Sequence, residues 1–434
     1  MSFGTGLSGL NAASKNLDVI GHNIANANTT GMKAGRAEFA EMYAASLGAA
    51  GGSNGGIGVS VAAVAQMFTQ GNIKITGNNL DMAINGEGFF KVTLTDGSTA
   101  YTRNGEFKLD RDGYIVTNNG ARLQGFPTDT KGAPTSVVST DLQLPTGGII
   151  APRATGTNPA MTSDEGVFIT ANLDANAPGQ NAGVPTSPIA STLKTYGTAL
   201  NVYDEQGVAI PVQIYFVKDS STPQTWHVVV EMTPAAGGPA IGLGSGTITF
   251  GTDGLPTAPP AINFTIAAGS FATGIPSAAL TNIPIKMGDG SAAYPYTLTQ
   301  YGAKFSVYDL RQDGYAAGEL TSINVEENGV ITARYSNGVS QANGMVMLTR
   351  FRNVQGLQPI NGGYWQKTQA SGDPIEGQPT TGRFGLIRSG ALEESNVDLT
   401  QELVNMIVAQ RHYQANAQTI KTQDQVQQTL VNLR

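Results

Sequence analysis

Three histidines, His22, His227 and His412, are the only imidazoles this chain has for metal or proton chemistry, and it has no cysteine. No HExxH or HxH spacing joins them, so no metal site is expected. His22 and His412 fall in stretches that read as terminal helices. His227 alternates with Val229 and Glu231 on what reads as the outer face of a strand. All three are expected to be solvated or packing residues. No Walker A loop, no GxSxG serine-nucleophile signal and no GxGxxG dinucleotide loop is expected. The run Gly242-Leu243-Gly244-Ser245-Gly246 is rich in glycine and reads as a mobile loop. Carboxylates could serve a glycosidase if paired across a cleft. Asp110 and Asp112 faintly resemble a calcium loop but lack its remaining ligands and closing Glu, so a hairpin turn is expected. Glu326-Glu327 before Asn328-Gly329 reads as a solvated turn. Glu393-Glu394 is expected to complement the dipole of a helix that follows it. No catalytic residue, cofactor or metal is therefore expected.

The elements that must position any function are marked by glycine and proline. Of 21 prolines, 18 fall between Pro127 and Pro295, and none of the 44 residues after Gly390 is glycine or proline. Both ends can be helical while the middle is punctuated like a β protein. From Asp398, with Gln401 three positions on, Leu399, Leu403, Met406, Tyr413, Ala417 and Ile420 recur at helical spacing. A helix over Val397–Leu433 would be roughly 55 Å long. At the other end Phe3, Leu10, Leu17 and Ile24 recur every seven residues, with Gly6, Ala13, Ile20 and Ala27 three positions after each. That is a heptad stripe with small residues in one column. Gly6, Gly9 and Gly21 each cost such a helix about 1 kcal/mol relative to Ala, so alone it should be marginal. Thirteen Asn-Gly or Asp-Gly pairs mark tight turns between alternating strands. Val208, Ile210, Val212, Ile214 and Phe216 share one strand face; Trp226, Val228, Val230 and Met232 share another. The segment Gly48–Gly58 reads as a flexible linker.

Only 13% of the 434 residues are charged, against about a quarter in an average soluble chain. The net charge is −7, and the 25 basic residues are scattered. That speaks against a nucleic-acid groove or an anionic-membrane patch. No apolar run approaches a membrane span, and the amino terminus lacks the pattern of a secretory signal. Residues 148–295 hold nine acidic and four basic residues and most of the proline, which suggests a separate outer domain. The fold class expected is mainly β, with long terminal helices paired as a coiled coil and nested β domains inserted between them. The expected division is 1–31 with 391–434 as a helical polymerisation domain, 32–71 as a flexible connection, 72–147 with 296–390 as an inner β domain, and 148–295 as an outer β insert.

Three blocks then resemble one family. The first is Gly9-Leu10-Asn11-Ala12-Ala13, followed by Leu17 to Asn26 and Thr30-Gly31-Met32-Lys33. The second runs from Thr76-Gly77-Asn78-Asn79-Leu80-Asp81 through Gly88-Phe89-Phe90 to Tyr101-Thr102-Arg103-Asn104-Gly105-Glu106-Phe107. The third is Gly390-Ala391-Leu392-Glu393-Glu394-Ser395-Asn396-Val397-Asp398-Leu399, continuing through Ala409 to Ala417. They are similar to the bacterial flagellar axial proteins of rod, hook and hook-associated type, most of all the hook type. Met32 stands where the family has an aromatic residue. The resemblance implies a non-enzymatic structural subunit, exported unfolded through the flagellar type III apparatus to an extracellular site. It implies self-assembly into a curved hollow tube that transmits torque from rod to filament. The partners implied are other copies of the chain, rod, hook-cap and hook–filament junction proteins, and the export apparatus, with no nucleic acid and no membrane insertion. Leu10, Leu17, Ile20, Ile24, Leu399, Leu403, Met406, Tyr413 and Ile420 would be the polymerisation residues. A distal rod subunit, or a secreted carbohydrate-binding or carbohydrate-active protein, are the alternatives.

Overall fold

The computed structural model of the chain describes residues 3–43, 56–144, 149–157, 166–180, 183–185, 188–235, 237–258, 262–270, 279–288 and 297–432. It is mainly β with a helix at each end: α1, Phe3–Ala25, and α2, Leu399–Asn432. Two compact units divide it. One comprises residues 1–146, 321–334 and 340–434, the other residues 147–320 and 335–339.

In the first unit α1 stops at Ala25, two residues short of Ala27, where the heptad stripe ends. The Asn26 side chain donates to the His22 carbonyl at 3.0 Å and competes with the helical ladder. A turn then leads to Gly31, whose φ of +70° suits glycine. α2 begins at Leu399, two residues later than expected. Its cap is the Asp398 carboxylate, which accepts from the backbone N–H of Thr400 and Gln401 at 2.9 and 3.1 Å. Residues 391–393, ahead of the expected helix, form a short strand.

The reading of 32–71 as a flexible connection is corrected. Strands Gly35–Tyr43 and Gly56–Gln66 form an antiparallel ribbon, with Phe39 opposite Val61. Glycine-rich flanks concealed it, and two register shifts break the alternation that would reveal it. Residues 44–55, most of the expected linker, lie outside the described residues. The β body of this unit follows the strand order Val330–Tyr335, Ser340–Val346, Arg122–Phe126, Phe89–Thr93, Thr99–Thr102, Tyr364–Gln366, Gln358–Ile360. Phe90, Phe107, Leu123, Val346 and Ile387 fill its core. Two short pairings return the chain's end to its beginning. Leu386–Ser389 pairs with Met82–Asn85, and Ala391–Glu393 with Ile73–Ile75.

The second unit is two sheets over one core. One sheet is a meander of Tyr196–Tyr203, Ala209–Lys218, Thr225–Met232 and Ile241–Thr249. Its inward residues include Ile210, Val212, Ile214 and Phe216, beside Trp226, Val228, Val230 and Met232 on the neighbouring strand, as the alternation predicts. The other sheet joins Ile262–Ile266, Leu280–Lys286, Val167–Asp174 and Leu298–Tyr301, with Ser306–Gln312 also on Val167–Asp174. The unit thus reaches residue 320, past the 295 that proline content suggested, because proline-free strands complete the sheet. Two further readings are corrected. Gly242–Gly246 is part of a strand, and glycine there lets Ile262–Ile266 approach closely: a Cβ on Gly244 would lie 2.6 Å from the Asn263 carbonyl oxygen. The strand face of His227, Val229 and Glu231 is buried rather than outer, and Ile189 and Leu193 pack there.

Candidate assembly surface and the junction beneath it

α1 and α2 pack against one another. Positions 6 and 9 of α1 face Ile420 and Asn416 of α2, and Asn23 donates to Glu402 at 3.4 Å, so the helices run antiparallel. A Cβ on Gly6 or Gly9 would come within about 3.1 Å of its neighbour. Glycine at these two positions is therefore what lets the axes approach. Gly6, Ala13 and Ile20 are buried with Ala12 and Asn23, while Leu10, Leu17 and Ile24 are half-buried.

On α2 the single expected stripe separates into two faces. Ala409 is buried, and Met406, Asn416, Ala417 and Ile420 are half-buried. Leu399, Leu403, Val404, Ile407 and Val408 form a second apolar face, each 46–51% exposed, and Tyr413 is also exposed. Five large aliphatic side chains over the first turns of one helix make an exposed patch of the kind that marks an interaction surface.

Beneath the helices lies a buried ion cluster. Glu393 Oε1 accepts from Lys33 Nζ at 2.6 Å and from the Gly71 N–H at 3.0 Å; Oε2 accepts from Arg103 Nη1 at 3.0 Å. All three side chains are buried. Lys33 also donates to the Thr69 carbonyl at 2.8 Å, and Arg103 to those of Ile84 and Gly86 at 3.4 and 2.7 Å. Burial holds the Lys33 ammonium below the usual lysine value, and Glu393 opposes that shift. Glu393 therefore serves this cluster rather than the α2 dipole. Glu394 is exposed, 3.9 Å from Lys74.

Two asparagines extend the junction. Asn23 accepts from the Gly35 N–H and donates to its carbonyl, both at 2.8 Å. Asn396 accepts from the Ala34 N–H at 2.8 Å and donates to the Met67 and Thr69 carbonyls at 2.6 and 3.2 Å. Lys33, Arg103, Glu393, Asn23 and Asn396 were not among the expected site residues. Their signal was present, since each belongs to one of the three blocks, but nothing local says that they meet.

The other polar candidates sit as follows. His22 and His412 are exposed. His227 is buried between Asp219 and Thr247, at 3.0 and 3.2 Å. Asp110 Oδ1 accepts from the N–H groups of Asp112 and Tyr114 in a turn, and Glu326–Val330 closes another around Gly329. Gly4-Thr5-Gly6-Leu7-Ser8-Gly9 has the formal spacing of a dinucleotide loop but lies inside α1. Gly51 to Gly55 has that of a nucleophile elbow and lies outside the described residues. Among the described residues no group of three or more acidic or histidine side chains could hold a metal, and no helix is long and apolar enough to cross a membrane.

Comparison with known proteins adds the following. Four family descriptions match: flagella basal body rod protein over 3–33, flagellar hook protein FlgE/F/G D1 domain over 83–164, flagellar basal body protein FlaE D2 domain over 172–315, and flagellar basal body rod FlgEFG protein C-terminal over 388–433. The flagellar hook protein FlgE of Salmonella typhimurium is 37% identical over 444 residues, covering 100% of both chains. That of Borreliella burgdorferi is 32% identical, covering 99% of this chain and 98% of its own. The crystal structure of Helicobacter pylori flagellar hook protein FlgE2 superposes with a TM-score of 0.52 at 16% identity, covering 74% of this chain and all of the other.

Proposed function

The chain belongs to the flagellar hook protein family, and on that footing we propose that it builds the hook by self-assembly through its terminal helices. It is a structural subunit of the bacterial flagellar hook, an extracellular part of the flagellum. In the proposed mechanism α1 and α2 supercoil as a coiled coil and line a central channel. The β units form the outer layers. A head-to-tail contact that does not close on itself generates a helical tube. Curvature of that tube would let it turn as a universal joint between rod and filament. Export as an unfolded chain through the type III apparatus, and contacts with rod, cap and junction proteins, complete the reading.

The observation that carries it is the second apolar face of α2. Leu399, Leu403, Val404, Ile407 and Val408 remain about half exposed while the opposite face is taken by α1. Their occupant is another copy of this chain, since burying them removes a patch costly to leave in water. The polymerisation residues are thus of two kinds. Leu10, Leu17, Ile20, Ile24, Met406 and Ile420 serve the helix pair. Leu399, Leu403 and, at the rim, Tyr413 serve the contact between subunits. The experiment is Val404→Asp with Ile407→Asp, assayed by electron microscopy of the protein induced to polymerise. Tubes should be lost while the circular dichroism of the chain is retained. Tubes formed at the normal yield would refute this surface.

A further inference from the structure

We propose that Lys33, Arg103 and Glu393 form a charge-matched junction that seats both terminal helices on the β body, and that a subunit adds to a tube only once this junction has closed. The second half rests on the assembly reading above; the first concerns the isolated chain.

Each member comes from a different part of the first unit. Lys33 closes the turn that follows α1. Glu393 ends the strand Ala391–Glu393 that leads into α2. Arg103 belongs to the β body and is anchored there by the carbonyls of Ile84 and Gly86. One carboxylate thus joins the amino-terminal exit, the carboxy-terminal return and the body. The backbone reinforces this: the Gly31 N–H donates to the Glu393 carbonyl at 2.8 Å, and the Gly71 N–H to its carboxylate. A Cβ on Gly31 would lie 2.5 Å from the backbone of Arg103, and one on Gly71 would run into the Glu394 carbonyl. The cluster exists only when residues 29–33, 69–71, 103–105 and 390–394 have all met. α2 depends on α1 for its buried face, and α1 packs on both α2 and the ribbon of Gly35–Tyr43 and Gly56–Gln66, so whatever fixes the two helix roots governs whether the pair forms.

The charges make the junction exacting. Two cations share one anion; Lys33 Nζ and the two Nη groups of Arg103 also reach backbone carbonyls, while the buried Arg103 Nε has no partner. Removing the carboxylate leaves two buried like charges, which is far worse than removing one cation. Removing Lys33 leaves Arg103 and Glu393 as a matched pair.

The test is elongation of tubes from short wild-type seeds by full-length variants, with amide exchange of the unassembled chain beside it. Glu393→Gln should elongate on the order of 100-fold more slowly than wild type, and Lys33→Met about 10-fold more slowly. The double variant Lys33→Met/Glu393→Gln should elongate faster than Glu393→Gln alone, because one unmatched cation is gone. Exchange in Phe89–Thr93 should stay as in wild type, while α1 and α2 exchange faster in Glu393→Gln. A double variant no faster than Glu393→Gln would overturn the proposal. So would wild-type elongation by Glu393→Gln, or loss of protection in Phe89–Thr93 together with the helices, which would make the cluster ordinary core of the body. If Glu393→Gln does not fold, Lys33→Met decides: it must slow elongation with Phe89–Thr93 still protected, and wild-type elongation overturns the idea. Wild-type chain that forms neither seeds nor tubes refutes the assembly reading instead, before any variant is made.

Discussion

Asp219 shows how far a single residue can be read. Its carboxylate is held well below the usual range, first by the Ser221 hydroxyl at 2.6 Å, then by the Gly183 N–H, by His227 and by the Ser221 N–H. A folded-state value below the unfolded one stabilises the fold above the unfolded value, near pH ~4, and that contribution is lost as pH falls toward the folded value. Corrected for intrinsic rates, amide exchange in Thr225–Met232 should therefore accelerate below about pH 4. Asp219→Asn should be less protected at neutral pH and less sensitive to acid. Equal acid sensitivity in the two proteins would show that another group titrates. Local sequence could not reveal this site. Alternation correctly put His227 and Glu231 on the face opposite Trp226, but not that Ile189 and Leu193 cover it. The same limit applies to Lys33, Arg103 and Glu393. Each stands in a recognisable block, yet pairing across some 300 residues leaves no periodic trace.

At the scale of elements, the helices were legible because glycine and proline vanish after Gly390 and a heptad stripe opens the chain. The meander strands were legible because alternation is strict from Ile210 to Phe216. What escaped was β structure that carries glycine. The ribbon partner Gly56–Gln66 was masked by its glycine-rich approach, and Gly242–Gly246 passed for a loop. In the latter, glycine is a packing device, since a side chain would collide with the neighbouring strand. Gly244→Ala should then destabilise the second unit by about 1–3 kcal/mol, because the obstacle is the Asn263 and Phe264 backbone, which cannot rotate away. Urea unfolding followed by Trp226 fluorescence measures it; an unchanged midpoint would mean that the strands can separate without cost. Splitting the α2 stripe into two faces was likewise beyond the sequence. Helical spacing identifies apolar positions, not which of them meets α1 and which stays exposed.

For the molecule as a whole, composition pointed to a separate unit with a proline-rich beginning. It misplaced the end, because strands Leu298–Tyr301 and Ser306–Gln312 belong to that unit's sheet without sharing its composition. The arrangement has a physical logic. The helices bury small residues against each other and leave large aliphatic ones outside, so the isolated chain exposes apolar surface of the kind that marks an interaction site. A three-dimensional reconstruction of tubes grown from the purified full-length chain tests this most directly. α1 and α2 should lie innermost, around a channel, with Leu403 and Ile407 buried against the neighbouring subunit. Tubes whose helices lie on the outside, or whose Leu403 and Ile407 remain in solvent, would contradict it.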